Sequence, residues 1–497
     1  MNDVKKLAGQ TAIYGIPTIV GRFLNYFLVP LYTYSMATHN YGMVSELYAY
    51  ISFLMIILTY GMETAFFRYS QTEKNNNVVY NTALLSLISS SMLFLIVAFS
   101  YLSSISAKLG YADHKEYIGL FLLILALDAL RAIPYALIRN QQKAKRFAFI
   151  KSVDIFSNIL FNLFFLLLCP WLMKTDMSTL VAWFFNPNDL VFYIFVSNVF
   201  SSGIAFLLLL PEFLQFQFNF DFKLWRKMLL YGIPVMIGGL AGMVNETFDR
   251  VALKHLVTVP DTILSPDEIN SYKMSQLGIY GACYKLSIVI TLFIQAFKFA
   301  AEPFFFSKMK KDDAKETYSN VMTIFVIFLC VIFLGVMAYI DLFKYFIGSD
   351  YRVGIKVVPI LLIGNLCLGI YYNLSIWYKI TDRTRYGAYI ALFGAAITLI
   401  LNYLLVPVLG YMGAAWTTCI CYLSIMIVCY LFGQKFYPVD YKVKRLVIYI
   451  FGAIGLFVIM ANLPFSSVGL KMLINTILLL LFIAGAYKFD VKQLIKR

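Results

Sequence analysis

The sequence predicts an all-α polytopic membrane protein, with about fourteen transmembrane helices arranged as two parallel-repeat six-helix lobes followed by two C-terminal helices. Three observations predict it. First, 61% of the 497 residues are hydrophobic and only 13% are charged, and the mean hydropathy is +0.76; a soluble domain carries about 25% charged residues. Second, the apolar residues fall into separate runs of helical length, which excludes an outer-membrane barrel built from short alternating strands. Third, short motifs recur along the chain, three of them at one constant offset.

The runs, taken in order, are 10–35, 41–67, 79–103, 116–138, 150–171, 189–210, 228–250, 277–306, 318–340, 355–378, 386–406, 412–432, 445–462 and 468–488. About 20 apolar residues cross the roughly 30 Å hydrocarbon layer, so each is long enough to span it. The first contains Tyr14–Tyr34, behind the basic lead of Lys5 and Lys6. It carries Gly15, Pro17 and Pro30, and Arg22 near its middle. A glycine or proline inside a spanning helix is tolerated where neighbours satisfy the freed backbone. An arginine there must face a wet interior or a partner. The lead resembles a signal peptide, but the apolar run is too long and no small-residue cleavage site follows, so an uncleaved first helix is expected. The expected domains are 1–222 (spans 1–6), 223–432 (spans 7–12) and 433–497 (spans 13 and 14).

Charge sets the orientation. The net charge of +15 would suggest nucleic acid in a soluble protein, but here the cations lie in short loops. Placing the N-terminus inside puts 27 of the 41 Lys and Arg in inside segments, as the positive-inside rule requires. Both termini are then cytoplasmic in a multi-pass protein of the inner membrane. The seven cysteines all lie in or at the ends of apolar runs and read as buried thiols that fill space. No metal site and no bound cofactor are expected.

The repeat links distant spans. Tyr14-Gly15-Ile16-Pro17 returns as Tyr231-Gly232-Ile233-Pro234, an offset of 217. Tyr41-Gly42 returns as Tyr280-Gly281, Glu63-Thr64-Ala65-Phe66-Phe67 as Glu302-Pro303-Phe304-Phe305-Phe306, and Arg146-Phe147-Ala148 as Arg385-Tyr386-Gly387, all offset by 239. Six spans separate the copies, so both halves share one orientation. Transporters with such parallel repeats place the substrate between the halves.

On the residues Gly15-Ile16-Pro17, Gly232-Ile233-Pro234, Tyr41-Gly42, Asp249-Arg250, Gly278-Ile279-Tyr280-Gly281 and Ala300-Ala301-Glu302-Pro303-Phe304, the chain resembles the MOP exporter superfamily. Within it, the chain is most similar to the polysaccharide-transporter branch, the flippases of lipid-linked oligosaccharide. The resemblance covers spans 1–12. It implies two six-helix lobes around a central cavity, working by alternating access. The two extra helices resemble those of the lipid II flippase branch.

Charges inside the spans are the candidate machinery. Gly15, Thr18, Arg22 and Asn25 share one stripe of the first span, and Arg22 reads either as a contact to a lipid diphosphate or as the partner of a buried carboxylate. Glu46 corresponds in the repeat to Lys285, so the two form either a gate pair or two snorkelling end charges. The resemblance raises Lys285 as a substrate contact. Asp128 and Arg131 neutralise each other at i, i+3, or Asp128 takes a proton or sodium ion with Arg131 tuning it. Arg22, Asn25, Lys285 and Arg131 are the candidate substrate contacts. Gln295, Lys298 and Glu302, with Glu63 as the repeat partner of Glu302, read as a gate network or an interfacial anchor. Glu246, Asp249 and Arg250 cap the outer end of span 7, with Glu246–Arg250 as an i, i+4 pair. Asp154, Asn158 and Asn162 read as helix–helix glue or cavity lining. Gly15, Pro17, Pro30, Gly232 and Pro234 are the expected hinges.

The expected function is a flippase moving polyprenyl-diphosphate-linked oligosaccharide across the cytoplasmic membrane for O-antigen or capsule assembly. Its partners would be that lipid-linked substrate, membrane lipids and polysaccharide assembly proteins, with no nucleic acid. No Gly-rich nucleotide loop is present, so Na+ or H+ coupling, or downstream consumption of product, would drive it. A multidrug or small-molecule exporter of the same fold predicts an acidic cavity. A membrane glycan polymerase or acyltransferase would need a large outer loop or a surface base, and the three histidines, His39, His114 and His255, are scattered.

Overall fold

The computed structural model describes residues 20–492, apart from 22, 74, 264, 310, 311, 465 and 466. Among the described residues, thirteen helices are long and apolar enough to cross a membrane. They match the second to fourteenth runs read from the sequence. Gly15, Pro17 and Arg22 lie outside the described residues.

Helix α1, Leu28–Ser35, closes the first run. The chain turns at Phe27, whose N–H bonds the Leu24 carbonyl at 3.0 Å. Pro30 accounts for this, since its ring crowds the carbonyl four residues back and it offers no N–H. The second span divides into α2 (Thr38–Thr59) and α3 (Met62–Thr72). There follow α4 (Asn76–Ser100), α5 (Leu102–Leu109), α6 (Lys115–Asn140), α7 (Ala144–Leu163) and α8 (Leu190–Leu208). Helix α9 (Phe222–Leu256) runs 35 residues and α10 (Pro266–Lys308) runs 43. At 1.5 Å per residue α10 is about 65 Å long, roughly twice the hydrocarbon thickness. The rest are α11 (Ala314–Ala338), α12 (Val358–Leu374), α13 (Arg385–Leu409), α14 (Tyr411–Phe436), α15 (Val443–Ala461) and α16 (Val468–Ala486).

The offset of 239 that aligns the motifs also aligns helix ends. It carries Asn76–Ser100 onto residues 315–339, against the observed Ala314–Ala338.

The chain separates into two compact units. One comprises Met1–Lys254 with Val259–Gly278; the other comprises His255–Thr258 with Ile279–Arg497. In the first unit α6 is the central helix, buried over 78% of its apolar window and packed by α2, α4 and α8. In the second, α11 packs against α12, α15 and α16, and α14 against α12 and α13. The last two spans, α15 and α16, are mostly exposed and apolar, as lipid-facing helices are.

Within the first unit, α9 lies antiparallel along the second span. Gly239 meets Ile56, Tyr69 donates its hydroxyl to the Lys227 carbonyl, and Gly232 meets the main chain of Tyr60 and Gly61. The Tyr41-Gly42 and Gly278 motifs have a packing reason. A Cβ on Gly42 would lie 2.0 Å from the Met274 carbonyl oxygen, and one on Gly278 would lie 1.9 Å from that of Thr38.

Candidate functional site

Charged side chains pair at three levels. The first is a network on α6, α7 and α8. The Arg131 guanidinium bonds Asp128 one turn before it, reaches Asp154 of α7 at 3.3 Å, and donates to the Ser202 hydroxyl of α8 at 3.0 Å. Ser202 in turn donates to Asp128 at 3.0 Å. Lys151 sits 3.5 Å from Asp154 and 4.4 Å from the centre of the Tyr135 ring. Two cations thus stand against two carboxylates, which is how such groups are tolerated at membrane depth. The pairing expected within α6 forms, but it is not self-contained, because Asp154 and Ser202 join it.

The four-residue spacing of Asp154, Asn158 and Asn162 extends the network along α7. Asn158 donates to Ser201 at 3.3 Å, Asn162 donates to the Asn158 carbonyl at 2.8 Å, and Tyr32 of α1 donates to Asn162 at 2.9 Å. Each of these groups therefore has the partner that a polar side chain needs in lipid, and the ladder ties α1, α7 and α8 together. Asn25 is exposed.

The second level joins the N-terminal end of α2 and the C-terminal end of α9 to the loop after α5. Glu46 is 0% exposed. One carboxylate oxygen accepts from the Lys254 ammonium at 2.7 Å and the other from the Tyr111 hydroxyl at 2.6 Å. Lys254 also donates to the Leu109 carbonyl and lies 5.0 Å from the Tyr111 ring centre. Gly110, with φ +81°, turns the loop so that Leu109 and Tyr111 flank the ammonium. Burial first, and then the Glu46 carboxylate, push the Tyr111 phenol well above its usual range, so it remains a donor. Within the first unit, then, Glu46 is held by Lys254 and Tyr111. Repeat symmetry relates positions in the chain and is silent on which neighbour on another helix carries the counter-charge.

Asp249 and Arg250 lie just below. Arg250 bonds the buried Asp249 carboxylate and the Glu246 main-chain carbonyl, both at 2.8 Å. The side-chain pair expected between Glu246 and Arg250 is thus replaced. Glu246 is exposed, and an attraction screened by water yields to one inside the protein.

The third level is the far end of the spans. In the first unit Arg139 of α6 bonds Glu63 of α3 at 2.7 Å and lies 4.8 Å from the centre of the Phe67 ring. In the second unit Lys379 bonds Glu302 of α10. The acids are 239 residues apart and the bases 240, so the repeat has kept an ion pair at this level in each half. Lys298 stands 4.8 Å from the Tyr372 ring centre, and Gln295 and Lys285 are half-buried on the same helix, α10. Both carboxylates are partly exposed, and exposed pairs contribute about 0–1 kcal/mol. Arg139→Ala is therefore expected to change stability by less than about 1 kcal/mol, read as an unchanged melting curve of the purified protein.

Sequence reasoning missed one feature of this kind. The second span breaks at Tyr60 and Gly61, both left-handed with φ of 35° and 72°. The break faces Gly232: a Cβ on Gly61 would lie 2.4 Å from the Gly232 carbonyl oxygen, and one on Gly232 would lie 2.7 Å from that of Tyr60. Helix α9 itself continues through Gly232 and Pro234. The expected hinge pair thus lies in an unbroken helix, and the interruption is in the helix opposite. The available signal was the Tyr-Gly dipeptide inside an apolar run.

The described residues form duplicated helical spans with polar networks between them and apolar faces turned outward, the build of a polytopic membrane protein. Solved structures show the same fold. The chain is similar to the lipid II flippase MurJ in its inward closed conformation, with TM-score 0.71 and 14% identity over 96% of this chain and 98% of that one. It is also similar to an inward-facing multidrug resistance MATE family transporter of the MOP superfamily, with TM-score 0.62 and 12% identity over 86% and 94% of the chains. A Haemophilus influenzae protein of the Lsg locus is 21% identical over 387 residues, covering 75% of this chain and 84% of that protein. Residues 7–309 match the family described as polysaccharide biosynthesis protein, and the chain belongs to that family. It is a multi-pass membrane protein with the fold of these transporters.

Proposed function

We propose that the protein is a flippase that moves polyprenyl-diphosphate-linked oligosaccharide across the cytoplasmic membrane by alternating access, for O-antigen or capsule assembly. Both termini are cytoplasmic, and the protein acts by relocation rather than as an enzyme. The observation that carries this reading is the family match together with what the structure does to the acidic residues. A cation exporter needs carboxylates available to its substrate. Glu46, Glu63, Asp128 and Glu302 each bond a basic side chain instead, namely Lys254, Arg139, Arg131 and Lys379. This weighs against the multidrug alternative.

In this proposal the halves bounded by 1–222 and 223–432 rock against each other, with residues 433–497 as accessory spans. Arg22, Asn25, Lys285 and Arg131 serve the substrate, with Arg22 on the diphosphate. Na+ or H+ coupling, or consumption of the product by polysaccharide assembly proteins, supplies the drive. Arg22→Ala and Lys285→Ala are each expected to abolish surface glycan display while the protein still inserts, read by glycan staining beside quantification of membrane-inserted protein. Normal display in both variants would overturn the cationic site. Purified protein in liposomes separates transport from catalysis: chemical alteration of the lipid-linked glycan, rather than its relocation, would sink the flippase reading.

A further inference from the structure

The segment joining α8 to α9 has an unusual sequence. Between Leu214 and Phe222 every second residue from Phe216 onward is phenylalanine: Phe216, Phe218, Phe220 and Phe222. Phe218 is 86% exposed and Phe222 65%. The segment is nonetheless tied down. The Glu212 carboxylate bonds Arg146 at 2.6 and 2.7 Å, and its carbonyl accepts from Tyr80 at 2.7 Å. The Gln217 amide bonds Asn81 at 3.1 Å and the Asp221 amide bonds Thr82 at 3.2 Å. Asp221 then caps α9 by accepting from the Lys223 and Leu224 amides.

Phe216 packs against the core, and Phe220 and Phe222 each have one side against Trp225. Phenylalanine burial is favourable, so an anchored backbone that leaves Phe218 and most of Phe222 outward calls for something outside the protein to cover them. Its position says what. The flanking spans end at Leu208 and begin at Phe222, so the segment lies at the level of the bilayer surface. The next two turns of α9 present Lys223, Arg226 and Lys227, all exposed, with exposed Leu230 one turn further on. These positions are i, i+3, i+4 and i+7, one face of a helix. Cations at the surface followed by apolar residues match the layering of headgroup and acyl chain.

We propose that this inter-span segment docks on anionic lipid, with Phe218, Phe220 and Phe222 at the acyl boundary and Lys223, Arg226 and Lys227 on headgroup phosphates. The inference rests on the multi-pass fold and is independent of the transported substrate.

The test uses the full chain in vesicles of phosphatidylcholine alone or mixed with phosphatidylglycerol in both leaflets. A spin label is placed on Phe218→Cys; the seven native cysteines are all buried, and labelled wild-type protein is the control. The label is expected to favour oxygen over a water-soluble nickel reagent, and more strongly in the anionic vesicles. Exchanging Lys223, Arg226 and Lys227 for Gln is expected to remove that dependence, up to about fivefold in anionic-lipid preference per cation, the equivalent of roughly 1 kcal/mol each. A label reached by the nickel reagent as freely as a nitroxide in water would overturn the proposal. So would identical behaviour in the two lipid compositions.

Discussion

Replacing either Glu46 or Lys254 alone by Ala is expected to destabilise the protein by about 3–5 kcal/mol, because each change strands the other charge in a place that water does not reach. The prediction follows from burial as much as from distance. Glu46 is fully buried and Lys254 nearly so, with 2.7 Å between their charged atoms. The two losses should not add. The double-alanine variant removes both charges, and a thermodynamic cycle should return a coupling of a few kcal/mol. Exchanging the two residues should restore stability only in part. A carboxylate at position 254 would face the Leu109 carbonyl, which now accepts from the ammonium. Tyr111→Phe, which removes one donor to Glu46, should cost about 1–3 kcal/mol. Unfolding of the purified variants in detergent measures all of these. Single variants that unfold with the native protein would show that the pair does not hold α2, α9 and the α5 loop together.

Much of the fold was legible because membrane insertion leaves a coarse, strong signal. Apolar runs must be about 20 residues long, so thirteen spans emerge, although α9 and α10 begin six and eleven residues before the runs read for them. One repeat motif was legible because Tyr41-Gly42, near the start of α2, sits where backbones come within contact, Gly42 against Met274. Pairing between helices was far less legible. Asp128 and Arg131 are three residues apart on α6, and helical geometry alone brings them together. Glu46 and Lys254 are 208 residues apart, and nothing in their local sequence couples them. The same holds for Glu63 with Arg139 and for the Asp154–Arg131 contact. The left-handed break at Tyr60–Gly61 left only the Tyr-Gly dipeptide as a local signal, while the glycine it packs against, Gly232, is on a different helix.

That break yields the second large effect. Gly61→Ala and Gly232→Ala are each expected to unfold the protein or trap it, at a cost of about 1–3 kcal/mol or more. At Gly61 two penalties combine. A side chain disfavours the left-handed backbone, and its Cβ would collide with the Gly232 carbonyl. At Gly232 the backbone is helical, so only the collision with the Tyr60 carbonyl operates, and the cost should be smaller. Gly239→Ala supplies the control. It lies two turns along the same α9, where a Cβ would rest 3.5 Å from Ile56, an ordinary contact. Its helix propensity should make that variant neutral or slightly more stable, by up to about 1 kcal/mol. The ordering of cost from Gly61 through Gly232 to Gly239, read by unfolding and by glycan display in cells, follows from backbone geometry alone. If Gly61→Ala and Gly239→Ala behaved alike, close packing of α9 against the break in the second span would not govern this part of the molecule.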